Sequence, residues 1–264
     1  MKANWKFAIV ALATLAFVAC NSQKVDDKTV TPGDDTTQVT PPDDGEFVSK
    51  ISVSDNSLAD WDNVPAAFLA TATRPDDAYD LGLKSVKVYA DEMYINVLVE
   101  IDDEEITGRA WTPFHMYIDA DGSATTGGYG DEFADAGIDI MLETAVFSEN
   151  QPYNYNPGVS WWYGEVNGTG WNWCPEGAAN DESDCWCAKV CSGDSPIGNS
   201  QYVDGKFEIQ LLRELILSPV EWGAEFGIGF DIQQEWTSVG ILPTAAAVDG
   251  ARGLANALKV KIDK

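Results

Sequence analysis

Residues 85–102 read SVKVYADEMYINVLVEID. Val86 and Val88 alternate with Ser85, Lys87 and Tyr89 up to a turn at Ala90-Asp91-Glu92; beyond it Met93, Ile95, Val97, Val99 and Ile101 share one side of an extended chain. Successive side chains of a strand point to opposite faces, so this spacing sends the aliphatic residues into a core and leaves Tyr94, Asn96 and Glu100 on a wetter face. A helix would bring apolar residues back at intervals of three and four, which this stretch does not do. The segment therefore reads as an antiparallel hairpin with one buried face.

Outward from this hairpin the pattern repeats. Short apolar or alternating runs at 47–53, 66–72, 113–119, 138–146, 158–164, 202–211, 225–233, 236–242 and 257–262 are broken by Gly, Pro, Asp and Asn. LLRELIL, residues 211–217, has room for one or two helical turns. The sequence predicts an all-β domain over residues 46–264, an antiparallel two-sheet sandwich of jelly-roll type.

Upstream of Phe47 the composition changes. Residues 20–45 carry Asp, Thr and Pro with only Val25, Val30 and Val39 as large apolar side chains after the cysteine, too little to bury, and are expected to form a disordered acidic tether. Before them Lys2 and Lys6 precede an apolar run from Phe7 to Val18 that is shorter than the about 20 residues a membrane span needs. Residues 1–19 thus read as a signal peptide with the small Ala19 at its processing site. Phe17-Val18-Ala19-Cys20 resembles the lipobox of bacterial lipoproteins, with Phe17 where leucine is usual. The resemblance implies cleavage before Cys20 and acyl chains on it, an anchor to which each buried methylene adds about 0.8 kcal/mol. An ordinary secretory signal containing a cysteine is the alternative. The acidic stretch from Lys24-Val25-Asp26-Asp27 resembles the export signals of Bacteroidetes lipoproteins, which implies an outer-membrane, surface-exposed location.

The whole chain has a formal net charge of −27, and loss of residues 1–19 removes two lysines and no acid. Such a polyanion is repelled by nucleic-acid phosphates and anionic headgroups, so nucleic acid is excluded as a partner and membrane contact is expected through the lipid anchor only. Multivalent cations are attracted.

Two segments carry candidate chemistry. In IDADGSATTGGYGDEFADAGIDIMLE, residues 118–143, a strand ending at Asp119 leads through a glycine-rich loop to one starting near Ile138. If these strands pair, Asp119 and Asp139 approach each other, and close carboxylates favour a hard cation. Asp119, Asp121, Ser123 and Asp139 with loop carbonyls are a candidate calcium set. Gly122 is at the fourth loop position, so the loop is not an EF-hand. The alternative is that Asp and Gly only make turns and Asp139 pairs with a lysine or caps amides.

The second segment, residues 151–191, concentrates aromatic residues, and Tyr155, Trp162, Trp171 and Trp173 are candidate ligand contacts because indole and phenol faces stack on the C–H patches of sugar rings. Core filling by these aromatics is the competing reading. The same segment holds Cys174, Cys185, Cys187 and Cys191, expected as two disulfides of open connectivity in an exported chain; a thiolate zinc site is the rival, although the CX10CXCX3C spacing lacks paired CX2C knuckles. His115, the one histidine, falls on a strand and reads as a solvated face residue rather than a catalytic base. Acid pairs such as Asp231 with Glu235, or Glu176 with Asp184, lie near aromatics, but nothing in the pattern singles out a glycosidase pair.

DNSLADWDNVPA with Trp61, the 86–102 hairpin, YIDADGSATTGG followed by AGIDIMLE, and GKFEIQLLRELI before GIGFDIQ together resemble, in order and spacing over about 50–262, the family 9 carbohydrate-binding modules and related DOMON-like domains. The resemblance implies a jelly-roll β-sandwich and, for many members, sugar binding. The expected function is a surface lipoprotein with a non-catalytic carbohydrate-binding-like module and a glycan partner. A structural or adhesion subunit meeting another protein, and a glycoside-active enzyme, are the alternatives.

Overall fold

The computed structural model describes residues 47–102, 104, 106, 108–128, 132–135, 137–162, 171–172, 197–216 and 218–264; the side chains of 161, 162, 171 and 172 are not part of that description. The signal peptide, Cys20, the acidic tether, Trp173 and all four downstream cysteines lie outside the described residues.

The hairpin read first is present as β2 (Leu83–Asp91) and β3 (Tyr94–Ile101), with Val86 opposite Val99 and Val88 opposite Val97. Val86, Val88, Ala90, Ile95, Val97, Val99 and Ile101 enter the main core, while Met93 sits at the turn and is partly exposed. The other face departs from expectation. Tyr89, Asn96 and Leu98 on it are buried, because residues 51–64 fold across it and lay Ile51, Val53, Trp61 and Val64 against Tyr89 and Leu98. Residues 47–53 form no strand, and their polar backbone is met by side chains instead: Gln210 donates to the Ile51 carbonyl and the Ser52 amide to Asp60. Trp61 donates its indole N–H to the buried Glu208 at 2.6 Å, satisfying both groups.

The remaining strands are β1 (Ala70–Thr73), β4 (Trp111–Asp119), β5 (Ile140–Ser148), β6 (Gln151–Pro152), β7 (Gly158–Trp162), β8 (Trp171–Asn172), β9 (Gly198–Val203), β10 (Lys206–Leu212), β11 (Glu225–Gln234), β12 (Thr237–Leu242), β13 (Thr244–Val248), β14 (Ala251–Leu254) and β15 (Leu258–Asp263). The single strand expected at 202–211 is instead the β9–β10 hairpin, turning at Asp204-Gly205 with φ of 50° and 79°. Arg213–Leu215 make one 3₁₀ turn, and Leu217 lies outside the described residues.

Thirteen strands join one mixed sheet whose main order is β8-β7-β5-β4-β11-β15-β2-β3-β10-β9, with β1, β6 and β12 pairing alongside β2, β5 and β11. The expectation of two separately stacked sheets is therefore refined: hydrogen bonds run on from one half to the other, and the sheet curls into a nearly barrel-shaped body. The link is β15, which pairs antiparallel with β11 and parallel with β2 through Ile262↔Ala90 and Asp263↔Asp91. Near the outer strands, Tyr155 donates its amide to Ser200 and Ile197 its amide to Asn156, so residues 153–157 connect the β5 side to β9. Inward-facing residues of β2, β3, β4, β5, β10, β11 and β15 meet in one apolar cluster, with Phe114 stacked on Phe230 at 6.0 Å. No helix among the described residues is long and apolar enough to cross a membrane.

Candidate functional site

Strand β4 organises the chemistry. Phe114, Met116 and Ile118 point into the core, so alternation puts His115, Tyr117 and Asp119 on the outer face, and the strand's ends carry Trp111 and Asp119. Three environments follow along it.

At the Asp119 end, β4 and β5 pair through Ile118↔Ile140 and the loop between them folds back on the sheet. Asp119, Asp121 and Asp139 each place one carboxylate oxygen within 4.8 Å of the others. Asp139 is 1% exposed; its Oδ2 accepts the Ala120 amide at 2.9 Å, and its Oδ1 has no hydrogen-bond partner among the described residues. The Ser123 amide bridges Asp119 at 3.1 Å and Asp121 at 2.9 Å, and the Thr126 hydroxyl donates to Asp121. Gly137, at φ 115°, lets the limbs of the loop meet, for a Cβ there would lie 2.7 Å from the Ser123 carbonyl. Lys259 reaches Asp119 at 3.3 Å from the exposed side. Burial, reinforced by the charges of Asp121 and Asp119, pushes the Asp139 carboxyl up to about 7. Burial also raises Asp119, against the pull of Lys259.

The expected set Asp119, Asp121, Ser123 and Asp139 is brought together, with one change. The Ser123 hydroxyl bonds Thr125 at 2.8 Å, and it is the Ser123 amide that serves the carboxylates. Loop oxygens and carboxylates are the donor types that suit a hard divalent cation.

In the middle of β4, register sets Asp231 of β11 and Glu143 of β5 directly beside His115. Nδ1 of the imidazole lies 3.2 Å from Asp231 and Nε2 lies 2.5 Å from Glu143. His115 is buried, not solvated as its strand position implied, because the face above β4 is covered: Phe133 packs edge-on to Tyr117 and occupies the space over Gly229, where a Cβ would come within 2.1 Å of its ring. Burial alone would lower the imidazole pKa, but hydrogen bonds and charge from Asp231 and Glu143 reverse this and raise it to about 9. Both ring nitrogens then donate, and a cation is held between two carboxylates. The three side chains form an ion triad in which both ring nitrogens are engaged.

At the Trp111 end, an open groove of about 740 Å³ is lined by Trp111, Pro113, Gln234, Glu235, Trp236 and Thr237, among others. Trp111 is 45% exposed and meets Tyr153 edge-on at 5.7 Å, and Trp236 is 67% exposed. Trp236 stands at the tip of the two-residue hairpin between β11 and β12, with φ of 48° at Glu235 and 64° at Trp236. Left-handed backbone at both central residues is the turn normally filled by Asn-Gly, and a bulky residue there costs about 1–2 kcal/mol. Trp236 thus projects a large indole into solvent from a left-handed turn.

The aromatic residues singled out in the sequence fare differently. Tyr155 is fully buried, donating its hydroxyl to the Phe114 carbonyl at 3.2 Å and packing edge-on to that ring, so it is corrected from a ligand contact to a core residue. Trp162 and Trp171 are cross-strand partners in β7–β8, at the opposite end of the sheet order from β9. The candidate disulfides and Trp173 fall outside the described residues. Sequence reading missed Trp111 and Trp236; the signal available for the second was QQ-EW-TS, two residues between extended runs.

No protein family, curated protein or solved structure matches the chain.

Proposed function

We propose that the chain is a non-catalytic glycan-binding module, held at the outer membrane surface by a lipid on Cys20. The observation that carries the binding reading is the groove between Trp111 and Trp236, two exposed indoles that flank Gln234, Glu235 and Thr237. Its volume of about 740 Å³ suits a short saccharide. Indole faces take the C–H surface of a pyranose, and carboxylate, amide and hydroxyl groups between them take its hydroxyls. Hydrolysis needs two carboxyl groups across the scissile bond, and Glu235 is the only acid among the groove's described lining residues. The β-rich architecture is compatible with the jelly-roll modules that the sequence resembles, and the lipobox-like stretch supports the anchor.

The test is glycan-array binding of the purified chain followed by titration with the best ligand. Trp236→Ala and Trp111→Ala are each expected to weaken binding at least about tenfold, the range of a truncated aromatic hot spot. Unchanged affinity in both variants would remove the groove from consideration. Cleavage of the ligand would instead favour the glycoside-active alternative. Cys20→Ser is expected to release the chain from the membrane fraction.

A further inference from the structure

We infer that Asp119, Asp121 and Asp139 form a built binding site for one hard divalent cation of the calcium type, independent of the glycan groove at the other end of β4. Three carboxylates converge with one oxygen each inside 4.8 Å. Proximity alone would be unremarkable in so acidic a chain. What distinguishes this cluster is Asp139: it is 99% withdrawn from solvent, one of its oxygens is bonded to the Ala120 amide, and the other, Oδ1, meets no donor among the described residues. A buried acceptor left unmet is destabilising, more so when charged, and a bound ion is one of the few things that meet such a group.

The surroundings fix the carboxylates without neutralising them. Amides of Ala120 and Ser123 and the hydroxyl of Thr126 orient the three side chains, and these donors are dipoles, not charges. Among the described residues the one ion-pair partner of the three is Lys259, which reaches Asp119 but neither Asp121 nor Asp139, is shared with Asp135 at 3.9 Å, and has a side chain 42% exposed. One peripheral ammonium against three clustered acids leaves a deficit of positive charge that a divalent ion fills. An all-oxygen donor set excludes soft thiophilic metals, and a loop of irregular geometry accommodates the variable coordination of calcium better than the strict octahedron of magnesium. The cation would join the end of β4, its following turn and the entry to β5, fastening the loop that carries Phe133 over the sheet.

Thermal unfolding of the purified full chain in excess chelator and in millimolar calcium, with calorimetric titration, tests this. A rise of several degrees with calcium and a stoichiometry of one are expected, with a smaller response to magnesium. Asp139→Asn is expected to unfold at or above the wild-type temperature in chelator, since it removes a repelling charge, and to lose the calcium response. Asp121→Asn, at a half-exposed position, should also lose the response, whereas Asp249→Asn in the exposed β13–β14 turn should keep it. No calcium effect on the wild type overturns the site. An effect undiminished in both cluster variants overturns it too, as diffuse binding to surface acids. If Asp139→Asn is equally destabilised with and without calcium and Asp121→Asn responds as wild type, the cluster is only structural. Glycan affinity read in the same variants keeps the two readings apart, for loss of sugar binding in Trp236→Ala leaves the calcium shift in place.

Discussion

His115 shows how a residue's surroundings decide its chemistry. Its raised pKa means that the folded state holds a proton the unfolded state releases near 6.5. The stabilisation from the triad is therefore fully present below about pH 6.5 and is lost as pH rises through about 9. A shift of this size is worth about 3 kcal/mol at most. Denaturant unfolding between pH 6.5 and 9.5 should show stability falling across that window, and His115→Gln should flatten the dependence while lowering stability at pH 6.5. A fall of equal slope in the variant would assign the effect to other groups. The same lesson holds for Tyr155 and Tyr89. Alternation gives Tyr89 the face opposite Val86 and Val88, but only packing shows that it lies under the segment carrying Trp61 and that Tyr155, outside any strand, fills the core.

At the scale of the element, hairpins were the most legible features, because their signal is local. The β2–β3 pair follows from the alternation at 85–102, and the β4–β5 loop from aspartates and glycines between two apolar runs. What was not legible depends on partners distant in sequence. Lys259 meets Asp119 from 140 positions away, and the cover over β3 and β10 comes from residues before β1. The β9–β10 turn was obscured because it lies within one continuous run of strand-forming residues, whereas the break between the runs at 225–233 and 236–242 was legible and only its left-handed backbone was not. The strained tip at Glu235-Trp236 allows a direct trade-off to be measured. Replacing it by Asn-Gly relieves left-handed strain and should stabilise the hairpin by about 1 kcal/mol, while removing the indole that flanks the groove. A rise in melting temperature with loss of glycan binding is expected; a fall in melting temperature would mean that Trp236 packs more than it projects. Phe133 over Gly229 offers a second probe: Gly229→Ala must displace the ring, and a loss of about 1–3 kcal/mol in denaturant unfolding is expected.

At the scale of the molecule, strong acidity and a curled sheet act together. A net charge of −27 repels itself in the compact state, so the melting temperature should rise with monovalent salt, and a flat response would show that local pairs already absorb the repulsion. The position of β15 has a different consequence. It lies between β11 and β2 in the sheet, and Tyr89 hydrogen-bonds Asp263 from 174 positions away. The two halves of the sheet therefore cannot be knitted until β15 is available, a topology that makes folding slow and leaves earlier strands waiting with open edges. The architecture itself thus postpones commitment to the native state, with β15 acting as the clasp between β11 and β2, the second of which precedes it by well over a hundred residues.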